Sequence, residues 1–78
     1  MLSKFPNSTL KVGAVISLAP ESTTMNTAHN PRGVRGVVVD TDIFDMIQVK
    51  WGDDITNIYA KTRYDLIAEG EPGFLATE

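Results

Sequence analysis

A run of β-branched and aromatic residues, broken by one glycine-led acidic turn, constrains this chain more than any other feature. It reads Val49-Lys50-Trp51-Gly52-Asp53-Asp54-Ile55-Thr56-Asn57-Ile58-Tyr59, followed shortly by Tyr64-Asp65-Leu66. Glycine accepts positive φ and aspartate bonds its own backbone, so Gly52, Asp53 and Asp54 reverse the chain between two strands. No window sustains the i, i+3, i+4 apolar spacing of an amphipathic helix. The core must therefore be built from strands.

Residues 11–18 read as the first strand, with Ala14, Ile16 and Leu18 on one face and Val15 and Ser17 opposite. Gly13 within it suggests a bulge or a close backbone neighbour. Residues 35–40 form the second strand and 41–45 the next reversal. Residues 46–51 form the third, with Ile47, Val49 and Trp51 on one face and Met46, Gln48 and Lys50 on the other. Residues 55–60 form the fourth, where alternation sets Ile58 and Tyr59 on opposite faces; with Ile58 inward, Tyr59 is displayed. Residues 61–65 are too short for a stable α-helix and suit a single 3₁₀ turn. Residues 66–68 make a short fifth strand.

The connection at 19–33 is rich in Pro, Ser, Thr and Asn and has no periodicity. A loop of about fifteen residues is uncommon in a compact domain and is often functional. Met25, Ala19 and Ala28 are its apolar members, so it should rest on the sheet at one or two points. The pattern predicts an all-β fold, a small five-stranded SH3-like barrel over residues 11–68, with a long first loop and a 3₁₀ turn before the last strand. Residues 1–10 are an N-terminal lead-in and 69–78 a tail that frays. An OB-fold fits less well, because it usually needs a longer chain and a helix between its third and fourth strands.

The totals exclude several classes. Seventy-eight residues make one small domain, which buries only roughly 60–65% of its unfolded surface and has modest stability. There is no cysteine, which removes disulfides and thiolate metal sites and favours a reducing cytoplasm. No apolar run approaches the ~18 residues that span a bilayer, and the first residues lack the apolar stretch of a signal peptide. Without a secretory signal, the Asn7-Ser8-Thr9 triplet carries no weight as a glycosylation site. A formal charge of −3 does not favour nucleic acid, although a local basic patch would override it.

Trp51, Tyr59 and Tyr64 either form an aromatic groove for a peptide, or pack with Trp51 in the core and the tyrosines at its edges. Asn57 shares a face with Tyr59. Its amide serves a ligand backbone or, the weightier reading, satisfies polar groups at the Gly52–Asp54 turn. Asp65 caps the following turn or pairs with Arg63. Asp40, Asp42 and Asp45 superficially resemble a calcium loop, yet Trp51 stands where the bidentate glutamate belongs and the sixth position holds no glycine. They read as solvated hairpin tips, and no metal or cofactor is expected. His29 is the sole histidine, read as solvent-exposed in the long loop, and no serine sits in a nucleophile motif, so no enzyme is expected.

Val49-x-Trp51, Asn57-x-Tyr59 and Tyr64-Asp65-Leu66, after an opening Arg35-Gly36-Val37, resemble the MIB/HERC2 domain, an SH3-like barrel of some ubiquitin ligases. With Val12-Gly13 included, the resemblance covers about residues 11–67. The chain departs from the family at Gly52, where an acidic residue is usual, at Asp54, where a glycine is usual, and at Ala60, where an arginine is usual. Small free-standing proteins of tailed bacteriophages are also similar in pattern, which implies a host cytoplasmic setting.

The resemblance implies a binding role without ligase activity. The favoured expectation is a non-enzymatic adaptor that recognises a protein segment through the long loop, with Met25 and His29, and through Trp51, Asn57, Tyr59 and Tyr64. The alternative is a small nucleic-acid-associated barrel of KOW type, acting on host transcription or translation. It requires Lys50, Lys61, Arg63 and Arg35 to offer a basic surface.

Overall fold

The computed structural model describes residues 1–23 and 30–77. Its five strands are β1 (Val15–Leu18), β2 (Gly36–Ile43), β3 (Met46–Lys50), β4 (Thr56–Ala60) and β5 (Leu66–Ala68). They form one antiparallel sheet in the order β4-β3-β2-β1-β5. The protein is thus a small all-β fold with a single five-stranded sheet.

β3 and β5 occupy the expected positions, and the alternation in β3 holds. Ile47, Val49 and the following Trp51 are buried, whereas Met46 and Gln48 are half-buried and Lys50 is exposed. β1 starts at Val15 rather than residue 11, because Gly13 adopts φ +93° and the Ala14 N–H turns back to the Lys11 carbonyl. β2 runs on to Ile43, past the expected end at Asp40, through two register shifts against β3. One extra residue at each shift bends a strand and tightens its twist.

The hydrophobic core gathers Ile16, Leu18, Val38, Ile47, Val49, Trp51, Tyr59 and Leu66. The phase expected for β4 is reversed. Tyr59 is 3% exposed and Ile58 46%, because Tyr59 pairs with Ile47 and Ile58 with Gln48 across the β3–β4 ladder. Partners in a ladder share a face, so the buried Ile47 draws Tyr59 inward.

A 3₁₀ helix does occur, but at Asn7–Thr9 and not at residues 61–65. There the chain makes only a turn, with the Arg63 N–H on the Ala60 carbonyl. The N-terminal segment fastens this connection. Ser8 N–H donates to the Lys61 carbonyl, Asn7 N–H to that of Arg63 and Ser3 N–H to that of Tyr64.

Asn7, fully buried, reinforces that strap. Its Nδ2 donates to the Ala60 carbonyl at 2.9 Å, and its Oδ1 accepts the Leu66 N–H at 3.2 Å. The tail is fastened too, against the expectation of fraying. Leu75 N–H donates to Ser17 Oγ at 2.8 Å, and Gly73, at φ +90°, lies against Ile67. This covers the outer side of β1 and β5, where Ser17 and Ile67 are fully buried outside the main core. Among the described residues, no helix is long and apolar enough to cross a membrane.

Candidate functional site

The described limbs of the long loop, residues 19–23 and 30–33, are held against the sheet by two buried polar clusters. The first joins the loop to β4. Trp51 Nε1–H donates to the Tyr59 hydroxyl at 2.9 Å, and that hydroxyl donates to Asn30 Oδ1 at 2.6 Å. Asn57 Nδ2 donates to the same oxygen at 2.7 Å, so one amide oxygen takes two donors. The indole and phenol rings meet edge to face, with centroids 6.4 Å apart and planes at 86°, the arrangement that sets one ring's positive edge against the other's negative face. Burial pushes the Tyr59 hydroxyl up to about 12, reinforced by the Asp65 charge and opposed by its hydrogen bond with Trp51.

The second cluster joins the loop to the β4–β5 connection. Asp65 is 1% exposed. Its Oδ1 accepts from Ser22 Oγ at 2.8 Å, and Arg63 grips both carboxylate oxygens, Nε to Oδ2 at 2.7 Å and Nη2 to Oδ1 at 3.0 Å. This realises the expected Asp65–Arg63 pair. Arg63 Nη2 also donates to Thr23 Oγ1 at 2.6 Å, and the Ala19 N–H donates to the Asp65 carbonyl at 2.7 Å. Arg32 ties one limb to the other, its Nη2 on the Ser22 carbonyl at 2.7 Å. Among the described residues no buried side-chain nitrogen or oxygen lacks a partner.

Beside the second cluster lies a groove of about 250 Å³ lined by Leu2, Glu21, Thr23, Arg63, Tyr64 and Asp65. Three segments form its walls: the N-terminal strap, the first loop limb and the β4–β5 connection. Leu2 and Tyr64, both exposed, give it apolar surface. Thr23 and Glu21 offer oxygens, and the N-terminal ammonium reaches Glu21 at 2.7 Å on the rim. The groove thus sets apolar phenol and leucine surface beside hydroxyl and carboxylate oxygens.

The expected aromatic trio is therefore divided. Trp51 and Tyr59 lie in the core, and Asn57 beside them secures the loop through Asn30. Tyr64 faces the groove. Met25 and His29, together with the expected contact of Ala28, lie outside the described residues. Lys50 and Lys61 are not brought together. Ala60 pairs with Met46 and Thr56 with Lys50, so Lys61 and Lys50 sit at opposite ends of the β3–β4 hairpin, about 13–17 Å apart along the strand. Arg63 is committed to Asp65. Arg35 lies over the Phe74 ring at 5.6 Å and 3.8 Å from the Glu69 carboxylate.

Among the described residues no group of three or more His, Cys, Asp or Glu is placed to hold a metal. Asp40 instead accepts the Asp42 N–H at 2.8 Å, a local turn bond. Sequence reasoning missed Ser22, Asn30 and Leu2. Nothing local marks them, since their partners lie 27 to 43 positions away where a bond is formed. Comparison with known proteins finds no family model that matches the chain, and no curated protein or solved structure with a significant match.

Proposed function

We propose that the chain is a non-enzymatic binding module on an SH3-like barrel, and that it takes a protein segment in the groove beside the long loop. The meander order β5-β1-β2-β3-β4 supports the barrel, as does β2. β2 is the longest strand, and its two register shifts supply the bend by which one strand serves both halves of a small closed sheet. The same fold is implied by the resemblance carried by Trp51, Tyr59 and Tyr64-Asp65-Leu66.

One observation carries the recognition reading. Ser22, Asn30 and Asp65, three of the five buried polar residues among those described, hold the loop limbs against the sheet. Burying a polar group is costly unless it is fully paired, and a loop that only connects two strands has no need of it. The fastening fixes the wall of a groove whose opposite side is Tyr64 and Leu2.

The test replaces residues 24–29 by a glycine–serine linker of equal length, keeping Ser22 and Asn30. Peptides selected on the wild-type protein from a random library should shift the amide resonances of residues 19–23, 30–33 and 63–65. They should bind the loop variant and Tyr64→Ala at least about tenfold more weakly. A library that yields no binder, or binders indifferent to both changes, overturns the reading.

A further inference from the structure

Phe44 is the most exposed large apolar side chain among the described residues, at 94%. It stands with Asp45 in the two-residue turn between Ile43 and Met46, at the tip of the β2–β3 hairpin. Its φ is +50°, a conformation that hairpin turns normally give to glycine or asparagine and that is an outlier for a bulky residue. Asp42 and Asp45, both exposed, stand two positions before it and one after it in the hairpin tip. The tip is an aromatic knob with a negative collar, and its side chain has almost no contact within its own chain.

The same molecule carries a matching hollow. A pocket of about 250 Å³ opens between the N-terminal strap and β5, with Phe5, Leu10, Leu66 and Ala68 as its apolar walls and Ser3, Thr9 and Glu71 as polar ones. An apolar cavity of about 150 Å³ already accepts a benzene ring. Lys4 and Lys11, exposed on the strap that forms the pocket, give positive charge beside it, with Glu71 as the one acidic lining residue. Knob and hollow lie at one end of the molecule. Asp45 takes the Lys61 N–H on its carbonyl, and Lys61 takes that of Ser8, the neighbour of Thr9.

We infer that this end of the protein pairs with a second copy, Phe44 of each chain entering the strap–β5 pocket of the other while Asp42 and Asp45 face Lys4 and Lys11. Placement of both features at one end permits a two-fold arrangement in which both contacts form at once and the assembly closes as a dimer. Two inserted rings and their collars bury less than a standard interface, so the dimer is weak and concentration-dependent.

Sedimentation equilibrium on the full chain tests this directly. The weight-average mass should rise from 8.5 kDa towards twice that value as concentration increases from roughly 10 to 1000 µM, the range for a small interface. Added salt should shift the curve to higher concentration. Phe44→Gly should remain folded by circular dichroism, since the ring packs on nothing internal, and should weaken association on the order of a hundredfold. Thr9→Glu, at the pocket wall, should do the same by narrowing the hollow and repelling the acidic collar. A wild-type mass constant at 8.5 kDa, or association unchanged in either variant, overturns the proposal.

Discussion

Removing one oxygen atom from the core should loosen the long loop and destabilise the whole fold. Tyr59→Phe keeps the ring, its 3% exposure and its edge-on contact with Trp51. It deletes the hydroxyl that accepts from Trp51 Nε1 and donates to Asn30 Oδ1. Asn30 retains the Asn57 amide, so the acceptor stays satisfied. The indole N–H does not: Trp51 is 4% exposed, and an orphaned buried donor costs about 1–3 kcal/mol. For a domain of this size that is a fall in Tm of roughly 5–20 °C, measurable by the fluorescence of the single tryptophan.

The pH dependence separates this cause from a packing defect. The hydroxyl is pushed up to about 12 in the folded state, against about 10 when unfolded. The folded protein therefore holds this proton more tightly, and the stability it confers is complete below pH 10 and lost as pH rises towards 12. By pH 11 the wild type should have lost about 1.4 kcal/mol through this group, one unit's worth. Tyr59→Phe lacks that loss, so the gap between the two proteins should narrow by that amount between pH 8 and pH 11. A variant that melts with the wild type at pH 8, or a gap independent of pH, refutes the reasoning.

Three further substitutions follow from geometry. At Gly36 an added Cβ would sit 2.6 Å from Trp51 Cε3 and 3.0 Å from Val49 Cγ1. The indole is locked by its hydrogen bond to Tyr59, so Gly36→Ala should cost about 1–3 kcal/mol, read as a lower denaturant midpoint and altered near-UV circular dichroism. Asn7→Ala leaves the buried Leu66 N–H without its side-chain partner and takes one of two donors from the Ala60 carbonyl, which keeps the Arg63 N–H. It should cost about 2 kcal/mol and speed amide exchange at Leu66. Phe44→Gly should act in the other direction, raising stability by about 0.5–1 kcal/mol as the positive-φ strain is relieved, and an unchanged or lowered Tm would contradict that strain.

The strands that announced themselves in the sequence were those with internal punctuation. Gly52 marks the end of one hairpin arm, and Leu66-Ile67-Ala68 is an apolar run set between a turn and Glu69-Gly70. The phase of β4 was not legible in the same way. Ile58 and Tyr59 are both suitable for a core, and the choice between them is made by register with Ile47, a partner twelve residues back. Counting outward from the buried Trp51 through the Gly52 turn would have fixed that register. Asn7 was less accessible still. Its neighbours Pro6 and Ser8 have the composition of a loop, and its partners stand 53 and 59 positions away. A buried polar residue is defined by what surrounds it, and that is a property of the folded chain.

The Tyr64-Asp65-Leu66 token shows why a short connection can specify more than either strand it joins. Extended backbone sends consecutive side chains in opposite directions, and here each reaches a different environment. Tyr64 is exposed in the groove, Asp65 enters a buried ion pair that grips Ser22 and Arg63, and Leu66 belongs to the core. The backbone serves a third set of partners, with the Tyr64 carbonyl on Ser3, the Asp65 carbonyl on Ala19 and the Leu66 N–H on Asn7. Strap, loop and core therefore meet over three residues. A straight-chain glutamate at 65 would push the carboxylate past Ser22, and an apolar residue there would remove the acceptor shared by Arg63 and the Ser22 hydroxyl. The acidic residue between an aromatic and an aliphatic one is dictated by three-way fastening, and the groove beside the loop takes two of its lining residues, Tyr64 and Asp65, from the same segment.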